Sequence, residues 1–378
     1  MKKFLALLLA AAQVMLAGCS GSIYANYRAI EQMVLIQTVG YDLEKNGDVG
    51  MSVSSGKGAK GQETVRLSAT AESVGQAAEK LQSLSAKEEL SFLQASYIML
   101  GENAANDAER FLDYVERSVQ TRMDTPLIVV RGGTAAKAIT GTGGEKAEIT
   151  EVLSAIKREA ERSGDTRLFT VGETACSLAE SGAALCCAVK EIEDPNTGVP
   201  TVVCDGFAVL REGRLVGWVE KSCARGVTLM LGEMGGMVSL PSGVTVEITG
   251  AGMDLKPEWS DGGELRSLEV KVKVQAQVTE LKYAAALTDQ AVIAALEEEL
   301  EDVSSLWVRK VLSVSRAAKA DFMGLGRELE VRYPLKWEQY ADEWPDALEY
   351  LTIRVTPEAE ITRVRDMKDR ANVSGGGD

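Results

Sequence analysis

The sequence predicts a multi-domain α+β protein, with an N-terminal mixed α/β domain, a β-rich middle and a C-terminal sheet packed by a long helix. Three observations predict it. Strand-like and helix-like patterns alternate through the first half; beyond a turn-rich stretch at 194–200 the pattern turns to β; and residues 268–279 alternate strictly before a long helical stripe.

The chain opens on Lys2, Lys3 and an apolar run from Phe4 to Ala17 broken only by Gln13. That run is too short for a comfortable permanent span and reads as a secretory signal peptide. Leu16-Ala17-Gly18-Cys19 resembles the lipobox of bacterial lipoproteins, in which the thiol takes a diacylglycerol and cleavage leaves the cysteine first. Residues 1–18 are therefore expected to be removed, Cys19 to carry lipid, and 19–32 to form a tether. Each buried methylene contributes about 0.8 kcal/mol, so two acyl chains anchor firmly where one is marginal.

The N-terminal domain is expected over 33–193. Residues 33–40 and 49–54 read as a hairpin about the turn residues 42–48. Residues 56–61 match GxGxxG, but an alternating strand pattern follows at 63–71, where a dinucleotide loop needs a helix at once. A glycine-lysine loop explains those residues without a ligand. Ser73 is expected to cap a helix to residue 84; 93–100 and 126–132 read as strands, and 105–120 as a helix burying Phe111, Leu112 and Val115. A helical turn at 134–139 precedes 141–146, which looks like a Walker loop but lacks the GxxxxGK[ST] frame. Helical segments at 151–162 and 170–180 follow, and Asp194 to Pro200 carries the clearest boundary signal.

The β-rich middle, 200–262, holds expected strands at 204–210, 215–219, 237–240 and 244–249, the first two joined by a turn at 211–214. The C-terminal domain, 263–368, holds the alternating strand and then a helix capped by Thr288 and running to about residue 322. Leu296, Leu300, Val303, Trp307, Val311, Val314 and Ala318 form its apolar stripe, opposite a face with Glu297, Glu298, Glu301 and Lys310. Gly324 and Gly326 are expected to end it, strands at 350–355 and 358–364 to complete the sheet, and 369–378 to be a flexible tail.

Composition narrows the chemistry. Against 41 lysines and arginines stand 56 aspartates and glutamates, a formal charge of −15, which argues against nucleic acid and against charge-driven binding to anionic headgroups. With no histidine in the chain, Ser-His-Asp and Cys-His catalysis, HExxH metal sites and an imidazole switch are removed. Beyond Cys19 the cysteines are Cys176, Cys186, Cys187, Cys204 and Cys223, with no CxxC pair, so neither a zinc nor an iron–sulfur site is expected. They read as buried thiols or as partners in a disulfide, the vicinal Cys186-Cys187 pair being awkward for a bridge between neighbours.

Several ordered motifs resemble the Ger(x)C family of spore germination lipoproteins. They are Gly206-Phe207-Ala208-Val209-Leu210 with Leu215-Val216-Gly217-Trp218 and Arg225-Gly226; Lys319-Ala320-Asp321-Phe322-Met323-Gly324-Leu325-Gly326; and Tyr333-Pro334-Leu335-Lys336-Trp337 with Trp344. Gly40-Tyr41-Asp42, residues 93–102 and Phe111-Leu112-Asp113-Tyr114 follow the same order in the first half. A Trp-Asp pair common after the lipidated cysteine is here Ser20-Gly21.

The resemblance implies a lipid-anchored, non-catalytic subunit of a nutrient germinant receptor at the inner spore membrane, beside two integral membrane subunits and without cofactor. Trp218, Arg225, Asp321, Trp337 and Trp344 are its candidate structural or interaction residues, with no catalysis assigned to any of them. The alternative is a free-standing solute-binding lipoprotein with an interdomain cleft, and a carboxylate-based wall hydrolase is a third reading.

Overall fold

The computed structural model describes residues 33–56, 64–85, 88–142, 148–280, 290–344 and 346–362. The signal sequence, Cys19, the tether, most of the 56–61 and 141–146 loops, the Thr288 cap and the 369–378 tail lie outside the described residues.

The first hairpin is Thr38–Leu43 (β2) paired with Val49–Ser54 (β3), while Met33–Leu35 (β1) leaves it to lie parallel to Glu89–Ser91 (β5). Arg66–Ala71 (β4) is the strand whose presence denies the glycine loop a helix. Tyr97–Gly101 (β6), Leu127–Arg131 (β7), Ala183–Glu193 (β8), Pro200–Arg211 (β9) and Arg214–Val219 (β10) complete an eight-stranded sheet of order β10-β9-β8-β7-β6-β2-β3-β4. Its centre, β2 through β8, is parallel and its flanks antiparallel.

Both faces of that centre are covered, which is why its strands read as unbroken apolar runs. On one face Ile98, Leu100, Leu127 and Val129 meet Val74–Leu84 (α1) and Ala108–Arg117 (α2) through Ala77, Leu81, Phe111 and Leu112. On the other, Met99, Ile128 and Val130 meet Ala135–Gly141 (α3) and Ile149–Ser163 (α4) through Ile139, Ile149 and Leu153. Val171–Ser181 (α5) opens with the Thr170–Glu173 capping box and returns to the first face.

Strand β8 has no counterpart in the periodicity reading. Its buried half is Ala183-Ala184-Leu185-Cys186-Cys187-Ala188, small residues of weak β preference held by pairing on both sides rather than by propensity. The expected boundary at 194–200 is the turn joining β8 to β9, closed by Asp194 accepting from Asn196 N at 2.7 Å and by Gly198 at φ 67°. Strand pairing therefore divides the middle differently from the expected 200–262 unit. Residues 200–219 extend the first sheet, and 237–259 belong to the second.

The second sheet runs Met237–Ser239 (β11), Thr245–Trp259 (β12), Leu265–Glu280 (β13) and Thr352–Thr362 (β14), in that order. β14 is one strand where two were expected, and it lies parallel to β13 because the helix Gln290–Ala318 (α7) crosses over between them. Ala224–Met230 (α6) packs so tightly on α7 that a Cβ on Gly226 would meet the Trp307 carbonyl oxygen at 2.6 Å. The buried face of α7 accordingly runs through Leu296, Leu300, Ser304, Val308, Val311, Leu312 and Ser315, turned from the expected stripe, with Trp307, Val314 and Ala318 half-buried at its side. Gly226, without a side chain, permits the close approach.

Two further expectations are corrected here. α7 ends at Ala318, with Lys319 at φ 49°, and Gly324 at φ 68° instead opens the next helix, Leu325–Arg332 (α8). Glu297 and Glu301, expected in water, reach β14 and accept from Ile361 N at 2.9 Å and Ala359 N at 3.1 Å. One core joins the two sheets: Leu185, Phe207, Val209 and Val219 of the first share it with Val270 and Val272 of the second and with Leu300 and Val311 of α7.

Candidate functional site

Asp321, Trp337 and Trp344, far apart in the chain, meet in one joint. Lys319 to Gly326 turns the chain sharply between α7 and α8, which brings the Asp321 side chain back under the first turn of α8. Its carboxylate accepts from Leu325 N at 2.9 Å, Gly326 N at 2.7 Å and Trp344 Nε1 at 2.9 Å. Two of the helix's orphan amides and the indole N–H of the half-buried Trp344 are satisfied by one fully buried group. Burial pushes the Asp321 carboxyl above its usual range, against the pull of these donors.

Glycine is required at 326, because a Cβ there would stand 2.5 Å from Trp344 Nε1 and 2.8 Å from the Trp337 ring. Trp337 packs edge-on to Trp344 at 5.5 Å, and Tyr340, Trp259 and Tyr333 extend the ring cluster at 6.2 to 6.4 Å. Lys336 caps the Trp259 face at 5.4 Å. The joint fastens α8 and the segment after it to the long hairpin of the second sheet.

Arg225 and Trp218 stand elsewhere. Arg225 donates to the Met237 carbonyl at 2.9 Å and lies 5.7 Å from the Trp307 ring, tying α6 to both β11 and α7. Trp218, on β10, lies under the Arg131 guanidinium at 4.9 Å. Arg131 in turn bonds Asp205 at 2.9 Å and Glu220 at 2.8 Å, and Lys190 bonds Asp205 at 2.5 Å. Burial alone would raise the Asp205 carboxyl, but Lys190 and Arg131 hold it below its usual range. Every charge in this network has a partner, which makes it a clamp across β7, β8 and β9.

Sequence reasoning missed Arg131, Asp205 and the role of Asp42. Asp42 accepts from Ala135 N and Ala136 N, both at 2.8 Å, and so caps α3 from a strand far away in sequence. Gly40 leaves room for Ile139 and Ala135, and a Cβ on Gly101 would collide with the Asp42 carboxylate. The Gly40-Tyr41-Asp42 motif was visible in the sequence; its partners at 135 and 136 were not.

Among the described residues no three His, Cys, Asp or Glu side chains gather to hold a metal ion, and the five described cysteines are free thiols. No helix of the described residues is long and apolar enough to cross a membrane. A 530 Å³ cavity lies against the first sheet, lined by Tyr41, Met51, Phe92 and Tyr114.

The chain matches two domain families in order. Residues 26–190 match the family described as spore germination protein N-terminal domain, and residues 205–365 the family described as spore germination B3/GerAC like, C-terminal. It is similar to spore germination protein KC of Bacillus subtilis (strain 168), 29% identical over 171 residues, a match that covers 42% of this chain and 40% of that protein. The crystal structure of the GerBC protein superposes with a TM-score of 0.57 at 16% identity, covering 85% of this chain and 96% of that one, which shows a shared fold. With both of the family's domains present in order on the shared fold, the chain belongs to the Ger(x)C family of spore germination proteins.

Proposed function

We propose that this chain is a lipid-anchored, non-catalytic subunit of a spore nutrient germinant receptor and acts in germination by assembling with two integral membrane subunits. The observation that carries this reading is the ordered match of both family domains over nearly the whole mature chain. Two others agree with it. Leu16-Ala17-Gly18-Cys19 has the lipobox pattern, the attachment point such a subunit would use. The polar groups of Asp321, Arg225 and Trp344 are spent on internal hydrogen bonds, as suits a scaffold that presents a surface.

The test is an affinity pull-down from detergent-solubilised inner membranes of dormant spores, with mass spectrometry of co-purifying proteins and of the mature N-terminus. Two multispan proteins and a diacylated Cys19 are expected. Recovery of this protein alone, or its absence from spores, would sink the reading.

A further inference from the structure

We propose that Cys187 and Cys204 form an oxidisable dithiol, a modification site on the first sheet that closes to an intramolecular disulfide by exchange with a small-molecule disulfide. The site rests on the fold and not on the receptor reading.

The argument begins with which way each cysteine faces. Cys186 and Cys187 alternate across the pleat, Cys186 joining the core under α1 and α2 and Cys187 the core under α3 and α4. No bridge between these neighbours is available. On β9, Phe207 pairs with Cys187 and Cys204 pairs with Val189, so three steps on β9 oppose two on β8. That extra residue is a β-bulge at Asp205-Gly206, where Gly206 has φ 91° and a Cβ would collide with the Val219 carbonyl oxygen. Period-two alternation from Phe207 would send Cys204 to the opposite face, and the bulge turns it to the face of Cys187.

Thr166, in the loop between α4 and α5, marks the meeting point. Its Oγ1 lies 3.2 Å from Cys204 Sγ and 3.8 Å from Cys187 Sγ, and so bridges the two thiols. Cys187 is fully buried and Cys204 half-buried. The pair is also polarised. The neighbouring Cys187 thiol, then Thr166, the Gly206 amide and nearby Lys221, hold the half-buried Cys204 thiol below its ordinary value despite its burial, while the fully buried Cys187 is pushed up. This is the asymmetry of an attacking and a resolving thiol. The remaining thiols lack it: Cys186 is pushed up to about 12 by burial, Cys223 donates to the Glu220 carbonyl at 3.2 Å, and Cys176 is exposed.

The exchange balances as follows. The Cys204 thiolate attacks one sulfur of the small disulfide, forming a mixed disulfide and releasing one small thiolate. The Cys187 thiol, losing its proton to solvent, then attacks the Cys204 sulfur and expels the second small thiolate. The protein gives up two electrons and two protons, and the small disulfide is reduced to two thiols.

The test incubates the full chain in detergent with oxidised glutathione, alkylates it with N-ethylmaleimide in denaturant, and maps the peptides by mass. The expected product is lighter by two hydrogens, has two fewer alkylated thiols, and yields one cross-linked peptide pair carrying Cys187 and Cys204; dithiothreitol restores both thiols. In Cys187→Ala, a small-for-small change, glutathione is expected to remain trapped on Cys204. The proposal is overturned if wild type also stops at the Cys204–glutathione adduct, if the bridge forms between other cysteines, or if only exposed Cys176 reacts.

Discussion

Asp42 and Asp321 are both buried carboxylates that accept two consecutive backbone N–H groups at the start of a helix, yet they reach those helices by opposite routes. Asp42 sits on a central strand and caps α3 across 93 residues of sequence, whereas Asp321 caps α8 from only four residues before it. The first is a long-range tie whose partner no local pattern announces. The second is a local turn made long-range by a third donor, Trp344, 23 residues on. In both, a glycine clears the space for the carboxylate or its partner, Gly101 for Asp42 and Gly326 for the Asp321–Trp344 pair. A buried carboxylate in this fold therefore marks a joint between segments, and its worth follows from how many N–H groups would be orphaned without it.

That count orders the expected effects. Asp321→Ala orphans three donors and is expected to cost about 3–5 kcal/mol, read as a lower urea midpoint by tryptophan fluorescence. A loss below about 1 kcal/mol would mean that water replaces the carboxylate and the joint is not the anchor described. Asp42→Ala orphans two donors and is expected to cost about 2–3 kcal/mol; a larger loss than for Asp321→Ala would reverse the comparison. Trp344→Phe keeps a ring but removes the N–H, and roughly 1–2 kcal/mol separates that hydrogen bond from the ring packing. An unchanged midpoint would assign the joint to the rings alone.

The smallest effect, and the sharpest discriminator, is in pH. Burial raises the Asp42 carboxyl, so its contribution is fullest below the ordinary carboxylate range and falls as pH rises through the raised value. Asp205 is held low by Lys190 and Arg131, so its contribution is present above the ordinary range and is lost as pH falls through the lowered value. The stability difference between wild type and Asp42→Asn should therefore shrink with rising pH, and that for Asp205→Asn should shrink with falling pH. Urea midpoints measured across the carboxylate range check both signs, and parallel slopes would contradict the environments assigned to the two groups.

How much of this was legible depended on distance along the chain. The α+β class, the β2–β3 hairpin, the Ser73 cap, the long strand β13 and the long helix all follow from local periodicity, which the structure preserves. Strand β8 was illegible because its alanines and cysteines carry no β signal and are held by the strands on either side. The motif residues Asp321, Trp337 and Trp344 were visible as a set, but not that they touch, since nothing in the intervening stretch fixes their separation. Arg131 and Asp205 gave no signal, being ordinary charges until the sheet brings them together. Glu297 and Glu301 misled for the converse reason: a charged residue on a helix reads as wet until an unpaired strand edge lies beside it.

That edge has a consequence beyond this sheet. Among the described residues β14 is the last strand, and its outward amides at Ala359 and Ile361 are occupied by the two glutamates, while Pro357, two residues earlier, has no amide to offer. A neighbouring copy finds no template there on which to lay a strand. Along this stretch of β14, stereochemistry opposes strand addition by a second copy, and the shared negative charge of the chains opposes their close approach.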